Sequence, residues 1–292
     1  MKALQWETKR VRLAADVELA YHVVGRGLPV LLGNGLGGSR EVWEELITHA
    51  SDRYRFIAWD YRGLHRNGHG IEVVHGVPAH ARDALAILDA EGIPRCCFVG
   101  WSMGVAVGLE LFAQAPSRVS ALVFLCGGAK AAWAPGPDRS LIASLVTRTL
   151  RLARRGPRAS RALLRMGLSS PEAYAWARRL GIVGDQVSSD VFGKVTSALL
   201  EYDVLSYIGT LDRLGEYDAS GILPQIDVPT LVIGGDRDPM TPRAALENLV
   251  QGIAGAEYLL LPEATHYALL DQAEHVNLRI EKFWNERGYG SA

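Results

Sequence analysis

The sequence predicts an α/β chain in which a mostly parallel sheet carries helices on both faces and is interrupted once by a helical insertion. Short apolar runs bounded by Gly and Pro alternate with longer stretches of helical periodicity. That rhythm breaks once, across residues 133–221, where the pattern is helical with no convincing strand. Apolar residues make up 48% and charged residues 22% of 292 residues, enough to bury a substantial core.

The elements follow in order. Residues 11–13 and 17–24 flank the turn Ala14-Ala15-Asp16 and read as an antiparallel pair ended by Gly25-Arg26-Gly27. Residues 29–33 read as a buried strand, and 39–50 as a helix with Trp43, Leu46 and Ile47 at helical spacing. Residues 54–59 are a strand and 77–91 a helix closed by Gly92 and Pro94. Residues 96–99 are a strand, 103–115 a helix ended by Pro116, and 119–125 another strand. Strands return at 229–233 and 258–261, and a last helix spans about 272–287. Strands joined through helices lie parallel. The insertion opens in Ala134-Pro135-Gly136-Pro137 and the sheet rhythm resumes after Ile222-Leu223-Pro224. Residues 1–132 and 222–292 are therefore read as the core, and 133–221 as a lid.

The net charge of -1 offers no basic field for nucleic acid. The N-terminus lacks the apolar stretch of a secretory signal, and no apolar run approaches the roughly 20 residues of a membrane span. Cys96, Cys97 and Cys126 lie in apolar runs read as buried strands and lack metal-type spacing. The expectation is a cytoplasmic protein with reduced thiols and no metal. Adjacent Cys96 and Cys97 would face opposite sides of a strand.

Three elements carry chemistry. Gly100-Trp101-Ser102-Met103-Gly104 sits where a strand gives way to a helix, a turn that holds a serine exposed above the sheet edge. A serine hydroxyl is a weak nucleophile until a histidine takes its proton and a carboxylate orients that histidine. Both candidates follow late strands: Asp238 in Gly234-Gly235-Asp236-Arg237-Asp238-Pro239, and His266 in Glu263-Ala264-Thr265-His266-Tyr267. Asp236 competes with Asp238, and Asp238 before Pro239 also suits a helix cap. Residues 126–130 hold no carboxylate. The third element, Gly33-Asn34-Gly35-Leu36-Gly37-Gly38-Ser39, is a Gly-rich turn able to aim backbone N–H groups at developing negative charge. Its donors would be the N–H groups of Leu36 and Met103. Its spacing does not match a dinucleotide or phosphate loop.

Together these residues resemble the α/β-hydrolase family, in the branch of small bacterial esterases, C–C bond hydrolases, epoxide hydrolases, dehalogenases and cofactor-free haloperoxidases. The resemblance covers nearly the whole chain outside the lid. It implies an eight-stranded, mostly parallel sheet, a lid and no cofactor. It also implies Ser102 as nucleophile, His266 as base, Asp238 as acid, and Leu36 and Met103 as oxyanion-hole donors. A serine at the elbow argues against dehalogenase and epoxide hydrolase, which use aspartate there. Two stretches depart from the family. Asn34-Gly35 stands where His-Gly is usual, and an asparagine can still hydrogen-bond across that turn. Asp60-Tyr61-Arg62-Gly63-Leu64-His65-Arg66-Asn67 matches the family's Asp-x-Arg-Gly-x-Gly-x-Ser only in its first half.

Asn34 and Trp101 are expected in the substrate pocket. Tyr174, Trp176 and Phe192 suggest an apolar substrate group. Seven arginines between Arg148 and Arg165 read first as a solvated helix face, and alternatively as a lid surface that meets an acidic or acyl-chain substrate or touches a membrane surface. The expected activity is hydrolysis of a small or medium carboxylic ester. The alternatives are C–C bond hydrolysis, perhydrolysis or acyl transfer, and a non-catalytic small-molecule receptor. The expected partner is a small molecule, with a homodimer left open.

Overall fold

The computed structural model describes residues 4–14, 17–64, 76–131, 171–199 and 204–289. Eight strands form one sheet: β1 (Glu7–Ala14), β2 (Val17–Gly25), β3 (Leu28–Gly33), β4 (Tyr54–Trp59), β5 (Cys96–Trp101), β6 (Val119–Leu125), β7 (Thr230–Gly235) and β8 (Glu257–Leu261). Their spatial order is β1-β2-β4-β3-β5-β6-β7-β8. β2 pairs antiparallel with β1 and β4, and every other pair is parallel.

The helices are α1 (Glu44–Ala50), preceded by a 3-10 turn at Arg40–Trp43, α2 (Val77–Ala90), α3 (Met103–Gln114), α4 (Pro171–Arg179), α5 (Ser189–Leu199), α6 (Val204–Glu216), α7 (Arg243–Gly252), α8 (Ala268–Asp271) and α9 (Ala273–Glu286). They cover both faces of the sheet. One apolar layer joins Phe98 and Leu122 to Ile87 and Leu88 of α2 and to Leu109 and Phe112 of α3. The other joins Val99 and Val123 to Ile47 of α1 and to Ile280 and Trp284 of α9. Cys96 falls in the first layer and Cys97 in the second, as strand alternation requires.

Several boundaries differ from the expectation. β1 begins at Glu7 because an edge strand with one wet face tolerates the run Lys9, Arg10, Arg12 that masks its apolar period. The last helix falls where expected, at Ala273–Glu286, and a short unexpected helix, Ala268–Asp271, precedes it, separated by Gln272 at φ -135°, ψ 49°. Cys126 lies one residue past β6 with φ 46°, not within a strand. Between β6 and β7 the described residues form α4, α5 and α6, with one isolated bridge pairing Lys130 and Asp218. Ala15 and Asp16 of the first turn, residues 65–67, the 134–137 linker and the arginines from Arg148 to Arg165 lie outside the described residues. No helix among the described residues is long and apolar enough to cross a membrane.

The strand order locates the site. β3 connects outward to β4, whereas β5 connects to β6 on the opposite side. The carboxyl ends of β3 and β5 therefore border the switch point, where an open α/β sheet leaves a crevice.

Candidate active site

Ser102 links β5 to α3 with φ 55° and ψ -117°. Such a conformation in a non-glycine residue costs about 1–3 kcal/mol and persists only when its surroundings impose it. They do so here: the Ser102 N–H donates to the Leu125 carbonyl at 2.9 Å, tying the turn to β6. The helix also packs directly on the sheet. A Cβ on Gly104 would lie 2.0 Å from the Gly33 carbonyl oxygen, and one on Gly100 2.5 Å from the Gly104 oxygen. Those contacts explain the small residues two positions either side of the serine.

His266 enters from the loop after β8. Its Nε2 lies 2.9 Å from Ser102 Oγ, and its Nδ1 lies 2.9 Å from Asp238 Oδ2. The histidine side chain is 4% exposed and that of Asp238 is fully buried, so water does not compete for this contact. A carboxylate only accepts, so Nδ1 carries the proton and Nε2 presents its lone pair to the serine. The other carboxylate oxygen, Oδ1, accepts the N–H groups of Met240 (2.8 Å) and Thr241 (2.9 Å). Asp238 thus holds a turn rather than capping α7, whose N-cap is Pro242 with no side-chain bond. Asp236 is exposed and points elsewhere, accepting the Glu263 N–H at 2.5 Å.

The turn carrying Leu36 abuts the serine: a Cβ on Gly35 would lie 3.2 Å from Ser102 Cβ. Gly38 N–H closes that turn on the Gly35 carbonyl at 2.9 Å. Met103 is the first residue of α3, at the end where the helix dipole favours negative charge. A cavity opens over Ser102 and His266, walled by Met103, Gly127, Lys130, Leu214 and Met240.

Asn34 and Trp101 are not in that wall. Asn34 is 1% exposed and spends its amide inward: Nδ2 donates to the Trp59 carbonyl (3.0 Å), and Oδ1 accepts Trp43 Nε1–H (2.6 Å). Its carbonyl accepts the Tyr61 hydroxyl at 2.8 Å. The loop expected from Asn34-Gly35 is therefore present, with asparagine pinning it from beneath. Trp101 is 2% exposed, and its Nε1–H donates to the His266 carbonyl at 2.9 Å. Its strand position turns the ring into the layer with α1 and α9, away from the cavity. Tyr174 and Phe192 pack on each other in a separate small apolar cluster, and Trp176 is 57% exposed.

Sequence reasoning missed Lys130 and Thr241. Residues 126–130 hold no acid, but Gly127, Gly128 and Lys130 supply cavity wall. Thr241 fastens the Asp238 turn to the residue just past β6, its hydroxyl donating to the Cys126 carbonyl at 2.8 Å. Burial pushes the Cys126 thiol well above its ordinary range. Among the described residues, no group of three His, Cys, Asp or Glu could hold a metal.

The family model described as the α/β-hydrolase fold matches residues 29–165. A protein of Variovorax paradoxus (strain S110) named "Putative carbamate hydrolase RutD" is 31% identical over 268 residues, 91% of this chain and 95% of that one. The chain belongs to the α/β-hydrolase family. This α/β-hydrolase is an enzyme, and other relatives fit that assignment. The 3-oxoadipate enol-lactonase 2 of Acinetobacter baylyi is 27% identical over 92% of this chain and 93% of its own. Among solved structures, the esterase EaEST of Exiguobacterium antarcticum superposes with a TM-score of 0.81 at 17% identity, covering 95% of this chain and 99% of its own. The enol-lactonase of Burkholderia xenovorans LB400 gives a TM-score of 0.76 at 22% identity, covering 94% and 99%.

Proposed function

We propose that this hydrolase cleaves a small or medium carboxylic ester, open or cyclic, through an acyl-enzyme on Ser102. The observation that carries the reading is the unbroken chain of two 2.9 Å contacts from Ser102 Oγ through His266 to Asp238 Oδ2. A named enol-lactonase among the relatives supports an ester carbonyl as the target.

In this mechanism Ser102 Oγ bonds to the carbonyl carbon as its proton passes to His266 Nε2. Asp238 holds the imidazolium that results. The N–H groups of Leu36 and Met103 receive the oxyanion, and one such donor contributes about 3 kcal/mol to the transition state. The C–O bond to the leaving alcohol breaks, and that oxygen takes the proton from His266. Water then gives a proton to His266 and its oxygen to the acyl carbon. Ser102 leaves with the returned proton, and the free acid departs. The helical insertion serves as the lid, and Leu214 of α6 supplies part of the cavity wall.

A second reading is favoured by the relative named for carbamate hydrolysis. The same steps apply with a nitrogen leaving group, which His266 must protonate before the C–N bond breaks. The test is a panel of p-nitrophenyl esters of rising chain length, simple lactones and an alkyl carbamate, each with Ser102→Ala. Ester or lactone turnover that Ser102→Ala abolishes supports the reading, and turnover unchanged in that variant overturns it. Turnover confined to the carbamate would favour the second reading.

A further inference from the structure

We propose that Asp271 is a positioning residue for His266 and that it couples the base to the helical insertion. The inference rests on His266 acting as the base. Asp271 is 6% exposed and closes α8, five residues after the histidine. Its Oδ2 accepts both the N–H and the hydroxyl of Thr265, each at 2.7 Å. Its own N–H donates to the Tyr267 carbonyl at 2.8 Å. Asp271 therefore grips the residue on either side of His266, one through its side chain and one through its backbone. Trp101 holds the His266 carbonyl between them.

The remaining carboxylate oxygen reaches the insertion: Oδ1 accepts the Gly184 N–H at 2.9 Å. Gly184 lies between α4 and α5, and a Cβ there would stand 2.8 Å from the Asp271 carboxyl carbon. A second strand of the same tie runs through Thr265, whose hydroxyl also sits 3.0 Å from the Ile182 carbonyl. That hydroxyl has one proton and two acceptors, so it bonds either the carboxylate or the insertion backbone at any moment. Both carboxylate oxygens of Asp271 accept from amide and hydroxyl donors, which makes the site intolerant of an amide. An asparagine can satisfy the Gly184 N–H or the Thr265 N–H, and turns its own N–H₂ against the other.

The experiment compares Asp271→Asn, Gly184→Ala and the double variant with wild type, using the ester on which Ser102-dependent turnover is highest. Expected is a fall in kcat of about 10- to 100-fold with KM changed little, the scale of a roughly 1 Å misplacement. The rate of labelling by a fluorophosphonate should fall in step, and the downfield proton resonance of His266 Nδ1–H should shift or broaden. Neither readout responds to a loss of stability in protein that remains folded by circular dichroism. Gly184→Ala removes no hydrogen-bonding group and touches no member of the triad, so the same effect from it marks transmission through Asp271. The double variant should be no worse than Asp271→Asn alone. Folded Asp271→Asn with wild-type kcat, labelling and resonance overturns the proposal, and additive losses overturn the coupling. Should Asp271→Asn not fold, Gly184→Ala decides on the same readouts. Failure of the underlying reading looks different: wild type would itself show no Ser102-dependent turnover or labelling.

Discussion

Replacing Asp238 by Asn separates orientation of the base from stability of the fold. The two carboxylate oxygens have divided duties, Oδ2 toward His266 and Oδ1 toward the Met240 and Thr241 N–H groups. An asparagine has one acceptor oxygen to place. Against the turn it keeps both backbone bonds, whereas against the histidine it strands both donors, the buried Thr241 N–H alone at about 1–3 kcal/mol. The oxygen therefore stays with the turn and the N–H₂ faces His266 Nδ1. The imidazole must then accept at Nδ1 and carry its proton on Nε2, pointed at a serine whose proton it can no longer take. The expected loss in kcat is about 10⁴-fold, the size associated with an inverted tautomer in this type of triad. At 1.36 kcal/mol per tenfold, that is about 5 kcal/mol of transition-state stabilisation. Folding stability should move by less than about 1 kcal/mol, because volume and turn bonds are retained. The assay is kcat on p-nitrophenyl butyrate beside a urea melt. Asp236→Asn is the control: it is exposed, keeps an acceptor for the Glu263 N–H, and should leave kcat within about threefold. An Asp238→Asn enzyme within tenfold of wild type, or a collapse in Asp236→Asn instead, would refute the assignment.

Three further outcomes follow from the same structure. Asn34→Ala should cost about 2–3 kcal/mol in a urea melt, because it strands the buried Trp43 Nε1–H and releases the loop under Leu36. Glu91 accepts from Tyr21 and pairs with Lys9 and Arg55; burial pushes its carboxyl up, but these partners more than offset it and hold it below the ordinary 4.5. Its stabilisation is complete above that value and is lost as pH falls through the lower folded one. Urea midpoints between pH 3 and 6 should therefore drop on acidification, and Glu91→Gln should flatten that drop while costing about 1 kcal/mol at neutral pH, since both cations are partly exposed. The three thiols should not react with a disulfide reagent until the chain is unfolded, because all are buried and burial pushes Cys96 up to about 12.

The juxtaposition of Ser102, His266 and Asp238 was legible in the sequence because each is tied to a strand end and the strands are marked by their own apolar runs. Ser102 is further marked by glycines at positions where a Cβ would strike backbone. Choosing Asp238 over Asp236 needed more, since both occupy one loop; the turn at Met240 and Thr241 decides which carboxylate points inward. Trp101 was misread because adjacency to the serine says nothing about which face of β5 a side chain takes. Strand alternation sends it to the α1–α9 layer, where it supports His266 from behind. Asn34 was misread similarly: its partners Trp43, Trp59 and Tyr61 come from later elements and saturate it before a substrate can. Asp271 left no local signal, because the contact that gives it meaning joins residues 87 apart in the chain.

Backbone strain points to the same place by an independent route. Among the described residues, three that are not glycine have positive φ: Ser102 at 55°, Cys126 at 46° and Glu263 at 64°. They stand just beyond β5, β6 and β8, around the serine, the acid's turn and the histidine's loop. Each strained residue is held by a bond from a neighbouring strand or loop. Ser102 N–H reaches Leu125, Cys126 N–H reaches Ile233, and Glu263 N–H reaches Asp236. A sheet with no chemistry to perform could relax such turns by placing glycine in them, at little cost. At Ser102 glycine would relieve the strain but delete the hydroxyl that the proposed mechanism uses as nucleophile. Under the proposed mechanism the strained serine is retained for its hydroxyl, and the neighbouring parallel strand β6 supplies the bond that holds it there.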